Sequence, residues 1–192
     1  MRGGENVKDQ TDRREQMETL RKNKEIARKY ARIGEALPAC GDEGKLFETL
    51  VTGVREAFEI PYVWISLTDT PEALDLLVKL RQAPALKDVL NVVRLETLQE
   101  LLGDGTAPVL ANEGLKPFYR LLPRRRKFFF KSIVMAPLIL KGRAVGSLNS
   151  ADPSPTRYHP GMDTGLLEQL MATVSRCLEE KQSAGTEAVP ES

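Results

Sequence analysis

The closing third of the chain constrains the fold most. Ser132-Ile133-Val134-Met135-Ala136-Pro137-Leu138-Ile139-Leu140 is an apolar run. It turns at Lys141-Gly142 and comes back through Val145-Gly146-Ser147-Leu148-Asn149. Two such runs around a Gly-containing pair predict a β-hairpin. Behind it Leu166, Leu167, Leu170, Met171, Val174 and Leu178 recur at helical spacing, so a terminal amphipathic helix should bury one face. Pro160, in Tyr158-His159-Pro160-Gly161-Met162, is expected to open that helix.

The upstream elements follow from local patterning. Leu46, Phe47, Leu50, Val51, Val54 and Phe58 lie at helical spacing behind Asp42, an N-cap residue. Tyr62 to Leu67 is rich in β-branched and aromatic residues and predicts the first strand, with Tyr62, Trp64 and Ser66 on one face and Val63, Ile65 and Leu67 on the other. Pro71 starts a helix through Gln82; Val89 to Leu95 predicts a strand, Thr97 to Leu102 a helix closed by Gly103, and Pro108 to Leu110 a strand. This order gives an α+β domain with an antiparallel sheet. Helices from both ends are expected on one face and the middle connections on the other.

These residues resemble the GAF domain. Pro137-Leu138, Gly142, Gly146-Ser147-Leu148, Tyr158 and the terminal helix follow the GAF order of a strand ending in Pro-Leu, a Gly turn, a Gly-x-Leu strand, an aromatic and a long helix. Arg157-Tyr158-His159-Pro160-Gly161-Met162, with Thr164, Leu166 and Leu167, is similar to a GAF-related bacterial family of unknown function. The resemblance implies a sensory or regulatory module with its ligand pocket on the sheet face away from the terminal helices. It also implies what to look for among known GAF activities. The Asn-Lys-Phe-Asp-Glu motif of cyclic-nucleotide-binding members is missing, and Cys40 and Cys177 do not match the cysteine of bilin-binding members or the pocket cysteines of free methionine sulfoxide reductases. A non-enzyme is therefore expected.

Residues 1–36 have a different character. From Lys8 to Arg32 the sequence is dominated by charge, with no Gly or Pro before Gly34, and predicts a long solvated helix. Ile26, Tyr30, Ile33 and Leu37 form one stripe near its end, and Lys24, Ala27, Ala31 and Gly34 a weak seam for a second copy of the chain. A frayed arm is the alternative. Residues 37–182 are expected to form the GAF-like domain and residues 183–192 a disordered tail.

Charge and motifs narrow the chemistry. With 28 basic and 27 acidic residues in 192, the net charge of +1 supplies no global attraction to nucleic acid or anionic membrane. Two distant cysteines form no CxxC, which fits a reducing, cytoplasmic setting, and no apolar run approaches the ~20 residues of a membrane span. His159 is the only histidine and sits beside Pro160, so a structural role is expected for it. Phosphate-binding glycine loops, HExxH and EF-hand patterns are absent from the sequence, so no metal is expected and any cofactor is unknown.

Candidate ligand-binding residues are Trp64 and Ser66 on the first strand, with Phe118, Tyr119, Arg124, Arg126, Phe129 and Met135 in and beside the connection that follows Lys116. Trp64 would serve equally as plain core, and Arg124 and Arg126 suit an anionic group. The run from Arg124 to Lys131 sets five basic residues around three phenylalanines, which raises nucleic acid or a membrane surface as an alternative; a solvated basic loop is the plainer account. The expected partners are an unidentified small molecule, a homodimer mate through the N-terminal helix, and a separate effector protein; a dimerising adaptor that binds no ligand is the alternative.

Overall fold

The computed structural model describes residues 4–103, 105–123 and 129–187, with side chains for 13–103, 105–123 and 129–184. Strands β1 (Tyr62–Thr68), β2 (Leu90–Val93), β3 (Val109–Ala111), β4 (Ser132–Leu140) and β5 (Arg143–Asp152) make one sheet in the order β2-β1-β5-β4-β3. Three of the four neighbouring pairs are antiparallel, as expected for this sheet, and β1 with β2 is the one parallel pair. The reason is the helix α3 (Pro71–Gln82), which lies between the two strands in sequence and returns the chain to the starting end of the sheet.

The hairpin forms as its sequence dictates. Lys141 (φ 50°) and Gly142 (φ 76°) are both left-handed, as a two-residue turn that follows the sheet twist requires. At Gly146 an added Cβ would stand 2.3 Å from the Ser66 carbonyl oxygen, so only glycine lets β5 come this close to β1.

The remaining helices are α1 (Gly4–Ala36), α2 (Glu43–Phe58), α4 (Leu95–Leu102) and α5 (Gly165–Glu187). Asp42 caps α2 by accepting from Lys45 N at 2.7 Å, and Gly103 (φ 64°) closes α4. Pro160 does not open α5. Gly161 is left-handed (φ 90°) and so cannot lie inside a right-handed helix; the start falls at Gly165, whose N–H donates to Asp163 Oδ1 at 2.8 Å. Thr164 Oγ1 donates to Glu168 Oε1 at 2.6 Å across the first turn. The helix continues to Glu187, past the expected domain boundary at residue 182.

Two apolar layers flank the sheet. On one side α1, α2, α3 and α5 pack on Val63, Ile65 and Leu67 through Ile33, Leu37, Leu46, Leu50, Leu76, Leu170 and Val174. On the other side Trp64, Ile133 and Met135 meet Leu98 of α4 and Phe118 and Leu121 from a short 3-10 turn, Lys116–Leu121. The predicted division of β1 into two faces is the division observed.

Among the described side chains of α1, those of its last turns are anchored. Ile33 and Leu37 are buried and Tyr30 packs on Phe58 with ring centroids 4.6 Å apart, while Ile26, on the same predicted stripe, is exposed. A Cβ on Gly34 would stand 3.9 Å from Leu170 Cδ1, so this end of the predicted dimer seam already faces α5 of the same chain. Between Arg13 and Glu25 the described side chains are exposed, Met17 and Leu20 among them. Among the described residues no helix is long and apolar enough to cross a membrane.

Candidate functional site

Strand periodicity and register assemble a polar patch on the sheet face away from α5. Trp64 and Ser66 point to the same side of β1. Across the strands Ser66 is paired with Asn91 of β2 and Ser147 of β5, Trp64 is paired with Asn149 of β5, and Asn149 is paired with Met135 of β4. Asn91, Ser66 and Ser147 thus form one row and Trp64, Asn149 and Met135 the next. All six are buried.

Buried polar groups in an apolar layer are tolerated when each finds a partner. Here the partners form a directed chain. Ser147 Oγ donates to Asn149 Oδ1 at 3.0 Å, and Asn149 Nδ2 donates to Ser66 Oγ at 3.0 Å. Ser66 Oγ then donates to the main-chain oxygen of Leu121 at 3.1 Å. Trp64 Nε1 reaches that same oxygen at 2.6 Å and Asn91 Nδ2 reaches it at 2.9 Å. Three side chains from two adjacent strands therefore converge on one carbonyl supplied by the 3-10 turn. The Leu121 side chain is itself fully buried, which fixes the carbonyl over the patch.

Aromatics complete the enclosure. Phe130 lies 6.5 Å from Trp64, and Tyr119 stacks on Phe130 at 4.7 Å with planes 24° apart. Of the residues predicted for the site, Trp64, Ser66, Phe118 and Met135 come together in this layer. Tyr119 and Phe129, also predicted for the site, are 40% and 70% exposed, Tyr119 covering Phe130 from the outer side. In an extended approach to β4 successive side chains alternate, so Phe130 turns inward and Phe129 outward. Arg124 and Arg126, with Arg125, Lys127 and Phe128, lie outside the described residues. Asn91, Asn149 and Phe130 join the site without having been predicted for it.

The face is filled rather than open. Leu121, Phe118 and Phe130 occupy the space over Trp64 and Ser66, and no cavity is needed to accommodate the polar row. An open cleft of about 380 Å³ begins at its edge, lined by Arg81, Lys87, Asp88, Asn91 and Pro123 along the outer side of β2. Two further clefts lie elsewhere. One of about 390 Å³ runs between α5 and β4, and one of about 480 Å³ sits at the start of α2.

Other reactive groups fall away from this face. Cys40 and Cys177 are free, buried and in the helix-side core, where burial pushes the Cys177 thiol up. His159 is exposed in the turn before α5, with Nδ1 3.1 Å from the Pro160 carbonyl. Among the described residues no group of three His, Cys, Asp or Glu side chains is gathered to hold a metal ion. At the foot of α1, burial pushes the Tyr158 hydroxyl up to about 12 and raises Tyr30, against the opposing charge of Arg157.

No family model and no curated protein matches the chain. Solved structures do. The GAF domain of an Acinetobacter phosphoenolpyruvate-protein phosphotransferase aligns with a TM-score of 0.58 at 16% identity, over 81% of this chain and 93% of that one. A GAF domain of the phosphoenolpyruvate-protein phosphotransferase from Coxiella burnetii gives 0.57 at 13% identity, over 83% and 95%. The free methionine-R-sulfoxide reductase of Neisseria meningitidis, solved with its substrate, gives 0.59 at 15% identity, over 81% and 89%. Likenesses at this identity speak to architecture, and the architecture they share with this chain is the fold of a GAF domain.

Proposed function

We propose that this chain is a non-catalytic sensory module. A small molecule taken up on the Trp64 face of the sheet biases the packing of α1 and α5, which carry the change to a second copy of the chain and to a separate effector protein. The observation that carries this reading is the polar cluster of Asn91, Ser66, Ser147 and Asn149, buried among the apolar residues of this layer. Plain core would hold apolar residues there at lower cost, whereas oriented donors beside an aromatic suit a ligand site. One solved structure of this fold holds its substrate, which supports small-molecule binding.

The helices are placed to respond. The sheet is one residue thick, so Ser66 on the ligand side and Ile65 and Leu67 on the helix side are consecutive in β1. Lys181 on α5 donates to the Cys40 carbonyl just beyond α1, joining the two helices that would move. The buried free thiols suit a reducing compartment, and we place the module in the cytoplasm.

Dimerisation is favoured by α1, which spans 33 residues, about 50 Å of helix, and whose described side chains from Arg13 to Glu25 are exposed. A largely polar helix of this kind gains stability by pairing. Native mass spectrometry of the full chain against a chain beginning at Glu25 tests this, since the shortened chain keeps Ile33 and Leu37 but loses Met17 and Leu20. A dimeric full chain and a monomeric shortened one are expected. A full chain that is monomeric, or a dimer that persists after shortening, removes α1 as the coupling surface.

A further inference from the structure

We infer that the Trp64, Ser66 and Asn91 donors form a binding site for a carboxylate, which the Leu121 carbonyl fills in the structure described here. This deepens the sensory reading and rests on it, by naming the chemistry of the ligand and the groups that take it.

The geometry points to an acceptor with more capacity than an amide. A carbonyl oxygen offers two lone pairs, yet three hydrogens are aimed at the Leu121 oxygen, from 2.6, 2.9 and 3.1 Å. A carboxylate has two oxygens and about four lone-pair sites, and its hydrogen bonds are charge-assisted. The donors are also pre-set. Asn149, held by Ser147, donates into the Ser66 oxygen, and Ser66 Oγ in turn has the Leu121 oxygen as its acceptor at 3.1 Å, the place a ligand oxygen would take. Bonds linked head to tail in this way polarise one another toward their last acceptor.

The surroundings supply charge and access. The 380 Å³ cleft reaches Asn91 from solvent and carries Arg81 and Lys87; Asp88, the carboxylate among its described lining residues, is already engaged. Pro123, two residues after Leu121, forms part of its wall, so a ligand entering here meets the segment that carries the plugging carbonyl. The carboxylate would take the three donors and leave the Leu121 carbonyl to water. No bond other than hydrogen bonds changes. Because the carbonyl competes, the apparent affinity for a small carboxylate is the intrinsic affinity multiplied by the fraction of time the donors are free of Leu121.

The test uses the isotopically labelled full chain and sodium acetate as the probe, at ionic strength held constant with sodium chloride. Trp64 is the only tryptophan, so its indole N–H is a single NMR signal inside the site. Acetate is expected to shift it saturably, together with the Leu122 amide, with a Kd on the order of 10 mM, as befits a four-atom ligand facing an internal competitor. Asn91→Leu should weaken binding at least tenfold, and Ser66→Ala is the second variant should that one fail to fold. Pro123→Gly, which loosens the plug and leaves the donors intact, should tighten it several-fold. An indole signal unmoved by 100 mM acetate in both the parent and Pro123→Gly overturns the inference, as does a shift that the donor substitutions leave unchanged. Native mass spectrometry separates the two levels: a neutral or cationic molecule retained on this face would keep the sensory reading and sink the carboxylate. Acetate binding in a chain whose α1 never couples would do the reverse.

Discussion

Replacing Asn149 with leucine sets two physical accounts of the Trp64 layer against each other. Leucine is close to asparagine in size, and burying it in place of a polar side chain gains on the order of 1–2 kcal/mol if the layer is simply core. In the network account the substitution removes the acceptor of Ser147 Oγ and the donor to Ser66 Oγ, each now 3.0 Å away. An orphaned buried hydroxyl costs roughly 1–3 kcal/mol, and a lost hydrogen bond about 1 kcal/mol more. Set against that gain, the net expectation is a loss centred on about 1.5 kcal/mol, which for a domain of this size lowers Tm by roughly 3–6 °C. Urea unfolding followed by far-ultraviolet circular dichroism measures it, with an unchanged m-value confirming that the comparison is sound. Adding Ser147→Ala to Asn149→Leu removes the orphan hydroxyl and should recover about 1 kcal/mol or more, a coupling that Ser147→Ala alone would not show. A leucine variant as stable as the parent, or one that Ser147→Ala does not rescue, would refute the network account.

Further outcomes follow from the same packing. Gly146→Ala drives a Cβ to within 2.3 Å of the Ser66 carbonyl and 2.7 Å of Leu67 Cδ2, so β1 and β5 must separate; a loss of about 3 kcal/mol is expected in thermal unfolding, and a Tm within a degree of the parent's would contradict the closeness of the two strands. Tyr158 is buried and its hydroxyl pushed up from 10 to about 12, so its stabilising effect is whole below pH 10 and lost as pH rises toward 12, by roughly 2–3 kcal/mol. Tyr158→Phe should therefore flatten the alkaline fall in stability across that interval, and an identical fall in both proteins counts against burial as the cause.

Much of the fold was legible because local chemistry and tertiary need agree. The two faces of β1 follow from alternation alone, and the Lys141-Gly142 turn from the one residue pair between two apolar runs. The start of α5 was misplaced because proline favours a first helical turn, while the left-handed Gly161 that follows it makes a tight bend instead. Parallel pairing of β1 with β2 is a long-range outcome of the α3 crossover, to which no residue in Leu90–Val93 testifies.

The site was legible only by half. Trp64 and Ser66 share a face by periodicity, and polar Ser147 and Asn149, two apart on β5 and so on one face, carried a signal that register with β1 alone turns into a cluster. Asn91 stands out as the one polar residue of its strand for the same reason. The group on which they converge could not have been read from side chains at all, since it is the main-chain oxygen of Leu121. Phe129-Phe130 shows the converse: two identical neighbours give no hint of which one turns inward until the approach to β4 fixes the alternation.

The most direct measurement is a crystal structure of the full chain grown in sodium acetate. Carboxylate oxygens within hydrogen-bonding distance of Trp64 Nε1, Ser66 Oγ and Asn91 Nδ2, with the Leu121 carbonyl turned away, are the predicted result. A Leu121 oxygen that keeps all three donors while acetate binds elsewhere, or nowhere, would contradict it.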